Sequence, residues 1–226
     1  MAGIKAIETH YKGYRFRSRL EARWAVFFDA LGWEYQYEPQ GFEKQVEGDA
    51  PLRYLPDFLL VKHHTWVEVK GCAAAFQAEA PWMEEFLDYG CPLPGFDDSG
   101  GSRGQYEKLF PVPLTGATFG STLRGLLILG DIPDPTLFGF HLHPLIQHHK
   151  GLRQSYAYFD TTGPKKFEDV DGLLTVLTGL NALDSEDVTW TTGSLFAPSE
   201  RYWTKVLEAY RAARSARFEH GETPRV

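Results

Sequence analysis

Asp57, Glu68 and Lys70 stand in a pattern that can do chemistry: Pro56-Asp57, ten residues, then Glu68-Val69-Lys70, with a further acid, Glu21, upstream. Side chains two apart on a strand share a face, so Glu68 and Lys70 point one way while Val67 and Val69 point into the opposite, apolar layer. Pairing that strand with the one carrying Asp57 brings two carboxylates and a lysine to one patch of sheet. Carboxylate oxygens are the donors a hard Mg²⁺ ion selects, and one or two of them with several waters suffice. A lysine beside a metal-bound water can lower that water's pKa as an ammonium, or help remove its proton once the nearby cation has pushed it toward the neutral amine. The same residues have plainer uses. Glu21 can serve only as a capping-box partner, Asp57 can hold a strand end, and Glu68 with Lys70 can be an exposed pair.

Other chemistry-bearing residues are fewer. Glu38 is a candidate extra ligand. His141, His143, His148 and His149 in HLHPLIQHHK are half of the eight histidines, and H-x-H on a strand can turn both rings toward a metal; a polar strand end and loop is the alternative. No Walker A, GxGxxG or GxSxG pattern occurs, so no nucleotide cofactor and no serine nucleophile is expected.

The elements that must position these groups are legible in part. Ser18 and Glu21 form a capping box ahead of ARWAVFFDALG, a helix stopped by Gly32 with Leu20, Trp24, Phe27, Phe28 and Leu31 on one face. Alternation predicts strands at Trp33–Glu38, Arg53–Val61 and Thr65–Lys70, the last two joined by a turn at Lys62–His64 and therefore antiparallel. A helix starting at Pro81 is expected from the Ala- and acid-rich residues 73–89. Residues 91–122 are rich in Pro, Gly and Ser and form a long loop or insertion. Leu126–Leu129 reads as a buried strand, Phe138–Leu142 and Ser155–Asp160 as strands, Asp169–Leu180 as a helix and Trp190–Pro198 as a loop. The last helix is capped by Ser199 and presents Trp203, Val206, Leu207, Tyr210 and Ala213.

Composition sets the outer limits. The 226 residues are 43% hydrophobic and 23% charged with 22 Gly and 14 Pro, which excludes wholesale disorder and fits one large domain or a core with an appendage. Two cysteines, Cys72 and Cys91, are too few for a disulfide framework or a zinc site and point to a reduced compartment, with a single bridge between them as the alternative. No signal peptide or membrane span is recognisable, so a cytoplasmic protein is expected. The formal charge of −7 taken alone argues against nucleic acid, but the charge is segregated. Residues 1–24 hold six basic against two acidic side chains and residues 201–218 five against one, each a net +4, which leaves −15 on the rest. Arg15, Arg17, Arg19 and Arg23, together with Arg211, Arg214 and Arg217, are the candidate phosphate contacts, with Tyr14 and Phe16 interleaved as aromatic platforms. Solvated helix faces are the alternative.

With Pro56-Asp57, Glu68-Val69-Lys70 and the helical Glu21 in place, the chain resembles the PD-(D/E)xK nuclease superfamily, which includes type II restriction enzymes, phage-type Holliday-junction resolvases and TnsA-type transposon-end nucleases. The stretches GYRFRSRLEARWAVFFDALGWEYQYEP, YLPDFLL and WVEVKG are similar to phage-encoded members, and LLILGDIP and ARSARFEHGETP extend the likeness more weakly. The resemblance implies an α/β fold with a restriction-endonuclease-like αβββαβ core and a mixed central sheet over residues 1–131. An α+β elaboration over 132–226 would come after it, ending in the basic helix 199–218. The resemblance also implies Mg²⁺-dependent hydrolysis of DNA phosphodiesters, with Mn²⁺ able to substitute. Asp57, Glu68 and the Val69 carbonyl would bind the metal, Glu21 would complete the site or bind a second ion, and Lys70 would orient or activate water. The partner is DNA, in phage DNA processing or recombination within the host cytoplasm, and branched substrates would favour a homodimer. A nuclease fold kept as a non-cleaving binding or counter-defence inhibitor module is the competing expectation. A purely structural interaction protein built around 132–226 is the third.

Overall fold

The computed structural model describes residues 7–71, 73–88, 91–94, 125–136, 140–148, 152–167, 190–192, 200–218 and 224. Two short strands, β1 (Thr9–Tyr11) and β2 (Tyr14–Phe16), form a hairpin whose turn places Lys12 and Gly13 both at positive φ. Helix α1 (Arg19–Ala30) comes next. Ser18 is its N-cap in an extended conformation, and its Oγ accepts from the Glu21 N–H at 3.1 Å. At the other end Gly32 takes φ +70°, which lets the Gly32 and Trp33 N–H groups close back on the Asp29 and Phe28 carbonyls. A residue with a Cβ would resist that left-handed stop.

The strands β3 (Tyr35–Tyr37), β6 (Phe58–Leu60), β7 (Thr65–Val69) and β8 (Gly125–Leu129) form one end of the main sheet. Between β3 and β6 lies a separate hairpin of β4 (Phe42–Lys44) and β5 (Leu52–Tyr54). The pairs β3/β6 and β6/β7 are antiparallel and β7/β8 is parallel. A parallel pair needs a crossover, and helix α2 (Ala73–Leu87) lies in it. This is a mixed α/β arrangement in which one helix, three strands of the main sheet, a helix and a parallel strand follow in chain order. The sheet then continues past residue 131. Strands β9 (Phe140–His148), β10 (Leu152–Asp160) and β11 (Gly163–Phe167) add antiparallel in turn, and β12 (Trp190–Thr192) pairs with β9. Helix α3 (Glu200–Ser215) packs on α1.

Each core strand splits its side chains between two layers. Phe58, Leu60, Val67, Leu127 and Leu129 join Trp24, Phe27 and Phe28 of α1 and Val206, Tyr210 and Ala213 of α3. Leu59, Trp66, Leu126 and Ile128 face α2 through Phe76, Met83, Phe86 and Leu87. Trp24 is the centre of the first layer: it is fully buried, donates Nε1–H to the Gly130 carbonyl at 2.8 Å, and meets the rings of Phe27, Phe28, Phe159 and Tyr210. Trp24→Ala is therefore expected to cost about 3–5 kcal/mol in a urea titration monitored by far-UV circular dichroism; a loss below about 1 kcal/mol would contradict this packing.

Several expectations change. Residues 53–61 are not one strand, because Leu55-Pro56-Asp57 interrupts them and Pro56 has no N–H to give a ladder. Helix α2 begins at Ala73, so Pro81 lies inside it rather than at its start; the Ala-rich stretch before Pro81 has the propensity to extend the helix toward its N-terminus. The region 132–226 contributes strands to the same sheet. Trp190–Thr192 is a strand, not loop. The expected helix at 169–180, residues 95–122 of the long loop, Cys72, His149, Ser199 and residues 193–198 lie outside the described residues. Among the described residues no helix is long and apolar enough to cross a membrane.

Candidate active site

Asp57 directly precedes β6 and Glu68 lies on β7, and continuing the register of Phe58 opposite Val67 sets the two acids side by side. Both fall on the α2 side of the sheet, since Leu59 and Trp66 share their parity and belong to that layer. Asp57 is 2% exposed and Glu68 6%. Burial pushes the Asp57 carboxyl up to about 8, the Glu68 charge adds to the rise, and the Val69 N–H opposes it. That N–H donates to Asp57 Oδ2 at 2.7 Å, and the Arg17 Nη2 donates to Oδ1 at 2.6 Å.

Glu68 is held from two sides. The Tyr54 hydroxyl donates to its Oε2 at 2.7 Å, and Lys70 Nζ lies 2.7 Å from its Oε1. Lys70 also donates to Glu79 Oε2 of α2 at 2.5 Å. Burial pulls the Lys70 pKa down, but Glu68 and Glu79 outweigh it and the net direction is up. Lys70 is thus kept as an ammonium. Its backbone N–H is spent on the Leu129 carbonyl, which ties the end of β7 to β8.

Glu21 approaches from the opposite layer. It is 7% exposed, its Oε2 accepts from the Tyr37 hydroxyl at 2.6 Å and the Arg17 N–H at 3.1 Å, and its Oε1 accepts from the Ser18 hydroxyl at 2.7 Å. The Ser18 half of the capping box is thus formed, with its Oγ on the Glu21 N–H, while the Glu21 carboxylate takes the Ser18 hydroxyl and the Arg17 N–H; the acid is also near enough to Asp57 to raise the latter's pKa. Arg17 joins the two groups of acids. Its Nε is 2.5 Å from Glu38 Oε1, and Glu38 itself sits at φ +44° with its N–H on the Asp57 carbonyl.

The donor chemistry fits a hard divalent cation: two buried carboxylates at paired strand positions, one of them held above the ordinary carboxylate range by burial even with Arg17 beside it. Among the described residues, however, no three His, Cys, Asp or Glu side chains gather as a ready ligand set. Every carboxylate oxygen of Glu21, Asp57 and Glu68 has a partner within the chain, and Glu38 faces Arg17. Asp57 and Glu68, side by side where β6 and β7 pair, are the two placed to share an ion, with water filling the remaining positions.

The histidines lie elsewhere. His141 and His143 of β9 are buried against Tyr210, with His143 Nε2 3.3 Å from its hydroxyl and the His143 ring against Trp24 and Phe159. Burial lowers both pKa values, to about 4 for His141. They are neutral core rings, not a polar strand end, and they stand in no metal cluster among the described residues.

The proposed phosphate contacts divide. Arg15 is exposed and forked onto Glu8 at 2.6–3.2 Å, Arg17 is committed to Asp57 and Glu38, and Arg19 and Arg23 are half-buried. Arg211, Arg214 and Arg217 are exposed, with Arg214 Nη1 on the Ile132 carbonyl at 2.8 Å. Helix α3 packs on α1, so the helices that carry the two basic segments are neighbours. Tyr37, Tyr54 and Glu79 belong to the site and carry no signal in the sequence beyond Tyr54 standing three residues before Asp57.

The chain matches no protein-family model, no curated protein and no solved structure.

Proposed function

We propose that the chain is a metal-dependent endonuclease of the PD-(D/E)xK type acting on DNA, within a restriction-endonuclease-like fold. One observation carries this: two buried carboxylates and a charged lysine converge at the ends of β6 and β7, in a sheet whose parallel neighbour β8 comes after a crossover helix. Asp57 and Glu68, with the Val69 carbonyl, would hold Mg²⁺ or Mn²⁺. A bound ion there would supply Lewis-acid polarisation of a phosphate oxygen and a more acidic water. Tyr54 fixes the Glu68 carboxylate and the Val69 N–H fixes that of Asp57, so neither has to be ordered when substrate arrives. Lys70 acts as an ammonium that orients the attacking water and offsets charge building on the phosphate. Arg211, Arg214 and Arg217, exposed in and just after α3, would contact the DNA backbone. Such contacts would be local and strongly salt-dependent. Branched DNA as substrate would favour a homodimer, and the setting is the cytoplasm of a phage-infected host.

A second reading has its own support. Arg17 lies across Asp57 and Lys70 lies between two carboxylates, so each acid already has a cation of the chain beside it. A module that binds DNA or protein without cutting could keep such a cluster for stability.

The deciding experiment incubates plasmid, linear duplex, single-stranded and four-way-junction DNA with Mg²⁺, Mn²⁺ or EDTA, using the wild type and Glu68→Gln. Cutting that needs metal and disappears in the variant is the expected result. Tight binding with no cutting of any substrate would sink the enzyme and leave the binding module.

A further inference from the structure

We propose that Arg17 is a resident counter-ion which a divalent cation must displace from Asp57, and that the displaced guanidinium then clamps a substrate phosphate; this rests on the nuclease reading above. The geometry is that of a latch with a fixed base and a free head. The base is the backbone N–H, held by Glu21 Oε2 at 3.1 Å and the Tyr37 hydroxyl at 3.0 Å. The head bridges Asp57 at 2.6 Å and Glu38 at 2.5 Å, yet the side chain is 56% exposed while that of Asp57 is 3%. Only side-chain rotation is needed to move it into solvent, and the backbone can stay in place.

Two cations cannot share Asp57 Oδ1 closely without repelling each other, so guanidinium and metal compete for it. Glu38 makes the departure short. Its left-handed backbone, closed by its N–H on the Asp57 carbonyl, holds a second carboxylate beside the first, and a guanidinium that leaves Asp57 can stay tethered there. A tethered fork next to the scissile position matches phosphate oxygens bidentately. Phosphate in turn draws the head away from Asp57, so cation and DNA each favour the other's binding.

The test measures Mn²⁺ affinity by isothermal titration calorimetry, without DNA, for the wild type, Arg17→Gln, Arg17→Lys and Asp57→Asn. Binding of a fluorescent DNA duplex in Ca²⁺ is measured alongside. Arg17→Gln is expected to bind Mn²⁺ roughly 5–20-fold tighter and the duplex more weakly, Arg17→Lys to fall between it and the wild type for Mn²⁺, and Asp57→Asn to lose the site. A residue that merely supported the fold would weaken both affinities together. Equal or weaker Mn²⁺ binding in Arg17→Gln and Arg17→Lys, with melting temperatures unchanged, overturns the latch and leaves the nuclease reading standing. Absence of Mn²⁺ binding in every protein, wild type included, overturns both.

Discussion

Asp57→Asn is expected to melt at a higher temperature than the wild type at pH 8.5 and at nearly the same temperature at pH 5. The cause is the buried carboxyl, which the folded chain holds near 8 while the unfolded chain holds it near 3.8. Between those two values the folded state binds more protons than the unfolded state, so stability falls as pH rises through that window and is flat outside it. Raising the pH through that window therefore costs the wild type stability, through a carboxyl whose rise is shared with its neighbour Glu68. An asparagine keeps the acceptor for the Val69 N–H and never ionises. Each kcal/mol recovered should raise the melting temperature by about 2–4 °C in a chain of this length, read by differential scanning calorimetry across pH 5–9. A variant that melts below the wild type at every pH would mean that Arg17 compensates the Asp57 charge in full. Retaining a costly acid where an amide is better for the fold is the pattern of a group kept for its chemistry.

The second large effect belongs to Lys70. On the nuclease reading, Lys70→Met is expected to lower the rate of DNA cleavage about 10²–10³-fold in single-turnover assays, with duplex affinity nearly unchanged, because the ammonium would act on charge that develops only during reaction. The neighbouring Glu79→Gln separates this from a packing effect. Glu79 is half-exposed and helps to raise the Lys70 pKa, so its neutralisation shifts the alkaline limb of the rate profile to lower pH without removing any group from β7. Should Lys70→Met cut as fast as the wild type, the lysine is only a strap between β7 and α2.

Legibility in the sequence depends on how local the signal is. Helix α1 is readable because Ser18, Glu21 and Gly32 are chemical punctuation and the apolar spacing between them is helical. Asp57, Glu68 and Lys70 are readable as a set because strand parity and a short turn fix their mutual position. The interruption at Leu55-Pro56-Asp57 is masked, although Pro56 marks it, since the apolar residues run on to either side. The β1–β2 hairpin escapes a pattern reading because Lys12-Gly13 is a weak turn pair and each strand is only three residues long. Strand β11 has the sequence GPKKF, whose Pro164 and two lysines suit an edge and hide a strand. His141 and His143 look polar in sequence because their burial by Tyr210, sixty-seven residues beyond His143, is a long-range fact. The partners of the site, Arg17 on Asp57 and Glu79 on Lys70, are long-range in the same sense. Sequence spacing tells which acids can meet, and only the fold tells which cations have reached them.

All five residues of strand β8 are buried, and its two ladders run to β7 on one side and β9 on the other. Cutting the chain after residue 131 would strip β9 away and leave GLLIL as a bare apolar edge, while removing the Tyr210 ring that stacks on Phe27 at 4.6 Å. Bare edges of that kind recruit strands from other molecules. The residues that carry the candidate chemistry thus form no minimal fragment; expressed without residues 132–226, they would be expected to aggregate.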